Sequence, residues 1–273
     1  MHEVNVIFRK ELRDAFRGRW LFAFAGTFAV LALTLSIVQG SSGDLGAQGF
    51  NRTTAGLINL CLLLVPLLAL ILGAGGIAGE RERGTLATLL SQPISPAQLV
   101  LGKYLGLVIA VWMAIALGFG GAGLVMALFS PITDVNHYLL FVGLSAVLAA
   151  AMLSLGLFIS VFSDGRLKAL SIAVVVWFLV VLLYDLAAVG LALTVSSSGR
   201  SLLLVVLGNP VECVRILAIM SLESDLDVLG PLGSYVSNEV GRGTGVVLLS
   251  AALAAWVLVP LAATLHFAGN RDA

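Results

Sequence analysis

The sequence predicts an all-α membrane protein: six transmembrane helices preceded by an amphipathic helix at the membrane interface. Three observations lead there. Of 273 residues, 59% are hydrophobic and only 11% are charged, and the mean hydropathy is +1.06. The apolar stretches are continuous and about 20 residues long, which suits a hydrocarbon core about 30 Å thick. They lack the short alternating pattern of a β-barrel, and helices satisfy their own backbone hydrogen bonds in lipid. Net charge is zero, so composition suggests no nucleic-acid partner.

The layout is an amphipathic interface helix at 1–19, a transmembrane domain at 20–268 and a C-terminal tail at 269–273. In "HEVNVIFRKELRDAFRGR", Val4, Phe8, Leu12 and Phe16 recur at four-residue intervals with Ile7 and Ala15 beside them. Arg9, Lys10, Arg13 and Arg17 take the remaining surface. This helix is expected to lie on the inner leaflet, apolar face in the interface and basic side chains at anionic head groups.

Six spans follow, at 20–39, 57–78, 105–129, 138–162, 169–194 and 246–267. The first is expected to be an uncleaved span, since no A-x-A cleavage site follows its apolar core. Eleven of the fifteen Lys and Arg residues fall on one side: Arg9, Lys10, Arg13, Arg17, Arg19, Arg81, Arg83, Lys103, Arg166, Lys168 and Arg271. The positive-inside rule makes that side cytoplasmic. Both termini are then cytoplasmic, and 195–244 is extracytoplasmic.

The connection at 79–98, "GERERGTLATLLSQPISPAQ", interrupts the apolar chain with four consecutive charges, Glu80, Arg81, Glu82 and Arg83. Thr85 is read as the cap of a short helix, "LATLLS", ending before Pro93, with Leu86, Leu89 and Leu90 on one face. Ser95, Pro96 and Gln98 form a cap, first-turn proline and capping-box partner that start the third span. Lys103 is expected to snorkel to the inner surface. The second inner loop, "SDGRLKA", is a tight turn with two basic residues, serving as a topology anchor or as a second contact for a cytoplasmic partner.

On the external side, "GNPVECVRILAIMSLE" repeats the punctuation. Asn209 is the cap, Pro210 the first helical residue, and Glu212 the side chain that reaches back. The spacing predicts a helix from Pro210 to about Leu222 that also carries Arg215. Apolar but too short to span, it lies against the outer membrane face or dips into it. Glu223, Asp225 and Asp227 then form a solvated loop or a docking surface for an extracytoplasmic protein. Asp185 is the one carboxylate within a span, next to Tyr184. It either faces a translocation path or sits at the outer interface.

Catalytic chemistry is not legible. No phosphate-binding loop occurs, so ATP and Mg would be handled by a partner and no cofactor is bound directly. His2, His137 and His266 are scattered, the five methionines do not cluster, and no metal site is predicted. No G-x-S-x-G elbow is present. Cys61 lies in a span and Cys213 outside, so no internal disulfide is expected, although Cys213 could bridge two chains. Glycine runs at 73–79 and 118–123 serve close helix packing, or a dimer seam through Gly75 and Gly79.

"GERERGTLATLLSQPISPAQLVLGKYLG" resembles the connection between the second and third spans of ABC-2 type exporter permeases. The shared pattern is an acidic segment, Gly-Thr-Leu, a Leu-Leu pair, a proline pair and Leu-Gly-Lys. Three further stretches, "RKELRDAFRGRW", "VWFLVVLLYDL" and "NPVECVR", are similar to permeases of the nitrous-oxide reductase maturation transporters. The inner loop reads "ERER" where those permeases are mostly acidic. The resemblance implies an ABC-2 exporter fold in the cytoplasmic membrane, a permease homodimer, a separate cytoplasmic ABC ATPase and alternating access. By the same resemblance Glu80, Arg81, Glu82, Arg83, Thr85, Leu86, Leu89 and Leu90 form the ATPase-coupling segment. Tyr184 and Asp185 belong to the path, and Asn209, Pro210, Glu212 and Arg215 to an extracytoplasmic gate or dock. The implied cargo is a sulfur species or copper passed to a periplasmic accessory protein for metalloenzyme maturation. Lipid, drug or polysaccharide export is the alternative, as is a membrane scaffold that transports nothing.

Overall fold

The structure, a computed structural model, describes residues 2–40, 47–86, 94–129, 135–184, 186, 199–222 and 226–271. The chain forms α1 (His2–Arg17), α2 (Arg19–Gly40), α3 (Ala47–Glu82), α4 (Pro96–Phe129), α5 (Val135–Phe162) and α6 (Arg166–Trp177). The last continues as a π-helical segment, Phe178–Leu183. Then come α7 (Gly199–Leu207), α8 (Pro210–Leu222), α9 (Pro231–Tyr235) and α10 (Arg242–Arg271). Among the described residues there is no strand.

Five described helical stretches are long and apolar enough to cross a membrane: Ile58–Glu82, Pro96–Gly121, Val135–Phe162, Arg166–Leu183 and Arg242–Gly269. The predicted first span falls on α2, a 22-residue helix, which at 1.5 Å per residue reaches about 33 Å. The helix α5 forms the core, its residues from Leu148 to Ser154 buried without interruption. By contrast α6 and α10 turn exposed leucines and valines outward, a surface that suits lipid.

Close approach of α3 and α5 is made possible by Gly73 and Gly156, whose Cα atoms face each other across the crossing. One turn further along, the Ser160 hydroxyl inserts into the backbone of α3. It donates to the Ala74 carbonyl at 2.7 Å and accepts the N–H groups of Ile77 at 3.0 Å and Ala78 at 2.8 Å. Membrane hydrogen bonds between helices are worth about 1 kcal/mol. Ser160→Ala is therefore expected to lower unfolding stability in detergent by about that amount, read from denaturant titration.

The other glycines of the two runs are less crowded, and a Cβ on Gly120 would meet nothing within 4 Å. A Cβ on Gly75 or Gly79 would meet only the Arg166 side chain, at 3.8 and 3.6 Å, and Gly118 lies against the Phe28 ring. That ring lies tilted against Phe119 at 4.8 Å, and Phe119 meets Phe141 at 5.7 Å, which ties α2, α4 and α5 together.

The interface helix departs from expectation. Its Ile7 and Ala15 are buried in the protein, whereas Val6 and Phe16 point outward. The reason is a groove in α4: a Cβ on Gly102 would stand 2.7 Å from Ile7 Cβ, and one on Gly106 would stand 2.7 Å from Glu11 Cβ. Part of the face predicted for lipid is therefore spent on α4.

Candidate functional site

At the end of the bundle where Lys10, Arg81, Lys103 and Arg166 gather, α3 stops at Gly84, whose φ of +69° gives the left-handed conformation of a helix terminus. Its N–H donates to the Arg81 carbonyl at 3.0 Å. Thr85 does not take the N-cap position predicted for it. It is already helical, and its hydroxyl donates back to the Glu80 carbonyl at 3.2 Å, an acceptor left over by the end of α3. The capping box at the start of α4 forms as read: Ser95 N–H donates to Gln98 Oε1 at 2.9 Å and Gln98 N–H to Ser95 Oγ at 3.2 Å.

The four charges of the connection mostly bind helix ends to each other. Glu80 is buried, and its Oε1 lies 2.9 Å from Lys103 Nζ and 3.2 Å from Lys10 Nζ. Arg81 donates to the carbonyls of Val161 at 3.2 Å and Ser163 at 2.7 Å, where α5 leaves two acceptors without helical donors. Glu82 Oε2 accepts the Arg166 N–H at 2.6 Å. The N-cap position of α6 is Gly165, which has no side chain, so a carboxylate from α3 caps that helix in its place. Arg83 is exposed.

Two expectations change here. Lys103 does not snorkel to the surface: it is 2% exposed, with Nζ 2.6 Å from Glu11 Oε1, because α1 covers it and supplies a carboxylate. Leu86 is buried as part of the core instead of standing out as an apolar knob. Leu89 and Leu90 lie outside the described residues. The second inner loop is the tight turn predicted, closed by an exposed ion pair of 2.7 Å between Lys168 and Asp164.

At the other end, α7 and α8 form an elbow bent by 118° at Gly208 and Asn209. The helix α8 has the predicted bounds, Pro210–Leu222. Pro210 to Val214 and Ile216 to Ala218 are buried, packed on α5 and α10. Such a break in helical backbone is tolerated within a bundle only if its polar groups find partners, and here they do. Asn209 Oδ1 accepts the Val211 N–H at 2.9 Å, while its Nδ2 donates to the Val180 carbonyl at 2.8 Å. Val180 lies in the π-helical segment, where the looser winding offers a carbonyl to a neighbour. Tyr184 donates to the Val205 carbonyl and Trp256 Nε1 to that of Leu207 at 3.3 Å.

Glu212 does not complete a capping box. The Asn209 N–H goes to the Val206 carbonyl at 3.1 Å, and Glu212 Oε1 pairs with Arg215 Nη1 at 2.9 Å. Cys213 is buried with Sγ donating to the Val206 carbonyl at 3.3 Å, which removes it as a bridge between chains. Cys61 is also free and buried. Asp185 lies outside the described residues, so of the predicted path pair only Tyr184 is located, as a strut of the elbow.

Sequence reasoning missed Glu11, Val180, Trp256 and Ser160. A carboxylate on a predicted basic interface helix was the one available signal for Glu11.

Comparison with known proteins agrees with this architecture. The family described as ABC-2 family transporter protein matches residues 5–268. The chain is 35% identical over 270 residues to the probable ABC transporter permease protein NosY of Stutzerimonas stutzeri, covering 96% of each chain. It is also 35% identical over 235 residues to the protein of the same name from Pseudomonas aeruginosa PAO1, covering 82% of this chain and 84% of that one. With a helical bundle of spanning length and a family match along nearly its whole length, the chain belongs to the ABC-2 transporter family, as a multi-pass membrane permease.

Proposed function

We propose that this chain is the permease subunit of an exporter in the cytoplasmic membrane, driven by a separate ABC ATPase and working as a homodimer by alternating access. The observation that carries the reading is the 83–95 connection, whose two ends are fixed to α1, α3, α4, α5 and α6 by Glu80, Arg81, Glu82 and Lys103. A connection held at both ends passes a push to the spans, whereas a slack loop absorbs it. The gathering of Lys10, Arg81, Lys103 and Arg166 at this end supports its cytoplasmic placement and that of both termini. The elbow of α7 and α8, with Asn209, Pro210, Glu212 and Arg215, serves as the extracytoplasmic gate or as the dock for a periplasmic accessory protein. ATP and Mg belong to the ATPase.

For cargo we favour a sulfur species for periplasmic metalloenzyme maturation over bare copper. The support is the similarity to two proteins named NosY together with the scattered placement of the methionines and cysteines. The test is uptake into inverted membrane vesicles, where export becomes accumulation. Accumulation of sulfane-labelled glutathione persulfide that needs ATP and stops with vanadate is expected. Accumulation of radiocopper alone would reassign the cargo to the metal. If neither accumulates while labelled lipid or glycan does, the chain belongs with the other exporters.

A further inference from the structure

The ion cluster at the inner end closes the base of the 83–95 connection. Glu80 precedes the connection, Lys103 follows it, and both are almost excluded from solvent, with side chains 5% and 3% exposed. The Lys103 ammonium also holds Glu11 of α1, and Lys10 of α1 reaches Glu80. On either side of Lys103, Gly102 and Gly106 bring α1 flush onto α4. One lysine thus joins three segments far apart in sequence: the interface helix, the end of α3 and the start of α4.

Stability alone does not account for this cluster. Buried ion pairs gain little over apolar packing unless every polar atom is satisfied, and Glu80 Oε2 is buried without a hydrogen-bond partner. Apolar side chains of the same volume would hold the helices together as well. What they would not supply is a fixed register, because apolar surfaces slide past one another while a bridging ammonium ties specific atoms.

We propose that Lys103 is a positioning residue for ATP-driven transport: through Glu80 it clamps the base of the connection, and through Glu11 it carries the displacement of the connection to α1. The inference rests on the reading of the connection as the ATPase contact. With the base of the connection clamped, one push moves α3, α4 and the interface helix as a unit.

The test uses the permease with its co-purified ATPase in nanodiscs of phosphatidylethanolamine and phosphatidylglycerol. Spin labels replace the exposed Asn5 and Ala97. Their separation is measured without nucleotide and with ATP and vanadate, alongside the hydrolysis that depends on the permease. In the otherwise unaltered protein the distance stays narrow and the same in both states. Lys103→Met retains the ATPase but broadens the distance and cuts permease-dependent hydrolysis about tenfold, and Lys103→Arg recovers at least about half of it. A neutral variant, E11Q/E80Q/K103M, leaves no unpaired charge in the cluster core and separates coupling from folding. It is expected to fold and to be as uncoupled as Lys103→Met.

A folded neutral variant that keeps the narrow distance and hydrolysis within about twofold of the unaltered protein overturns the clamp while leaving the ATPase reading intact. Absence of any ATPase from the unaltered preparation overturns both.

Discussion

Gly156→Val is expected to prevent the bundle from assembling, seen as loss of the monodisperse peak in fluorescence-detected size-exclusion chromatography. A Cβ at Gly156 would stand 2.7 Å from the Leu70 carbonyl oxygen, 3.0 Å from Ala74 N and 3.0 Å from Gly73 Cα. All three are backbone atoms, so no side chain can rotate away and the helices must part. Overpacking in a core costs about 1–3 kcal/mol and sometimes more. Here the separation also pulls Ser160 out of the α3 backbone and weakens the contact of Cys61 Sγ with Ser145 Oγ, 3.1 Å apart on the same pair of helices. Gly143→Val is the control. It lies on the same helix, but nothing stands within 4 Å of its Cβ position, and it should elute as the unaltered protein does. Equal behaviour of the two variants would mean that the crossing is looser than described.

Asn209→Leu is expected to loosen the elbow without unfolding the bundle. The substitution keeps the volume but removes the acceptor for Val211 N–H and the donor to the Val180 carbonyl. Loss of a cap costs about 1 kcal/mol, and a buried carbonyl left unsatisfied adds about 1–3 kcal/mol. Amides early in α8 should then exchange with solvent at least about tenfold faster, since 1.4 kcal/mol is a factor of about ten. Exchange in α5 should stay the same. ATP-dependent accumulation in inverted vesicles should fall with the same variant if the elbow gates the path. Unchanged exchange across α7 and α8 would remove Asn209 from its role as the staple of this bend.

The two sites differ in how far the sequence disclosed them. Local signals carry furthest: the apolar runs are helical wherever they are described, Ser95 and Gln98 form their capping box, and α8 takes the bounds Pro210–Leu222. These features depend on neighbours within a few residues, where spacing and capping chemistry suffice. The pairing of Lys103 with Glu11 joins positions 92 residues apart and was invisible, because either residue alone reads as a solvated interface charge. The same holds for Arg81 on the end of α5 and Glu82 on the start of α6. Thr85 shows a subtler limit: its type suits a cap, but a threonine hydroxyl can equally turn back to a carbonyl left open by the preceding helix, as it does at Glu80. The π-helical segment at Phe178–Leu183 left no signal in a run of large apolar residues, and it becomes intelligible only once Asn209 is seen to use its carbonyl.

The coupling end and the elbow occupy opposite ends of the same helices, with α5 packed between α3 and α10 and carrying α8 on its side. In the proposed mechanism, a displacement delivered at Glu80 and Lys103 would enter α3 and α4 directly, and α3 would pass it to α5 through the glycine crossing. The helix α6 stands in the same line, since Glu82 caps its start and Asn209 holds its far end.

The central claim is that a separate ATPase drives this permease through the connection at 79–98. It is tested most directly by purifying the tagged protein from native membranes and identifying its partners by mass spectrometry, beside a Leu89→Asp variant. The account predicts an ABC ATPase with the unaltered protein and its loss from a variant that remains folded. An unaltered protein that carries no ATPase under gentle solubilisation would contradict the account and leave a membrane scaffold as the better description.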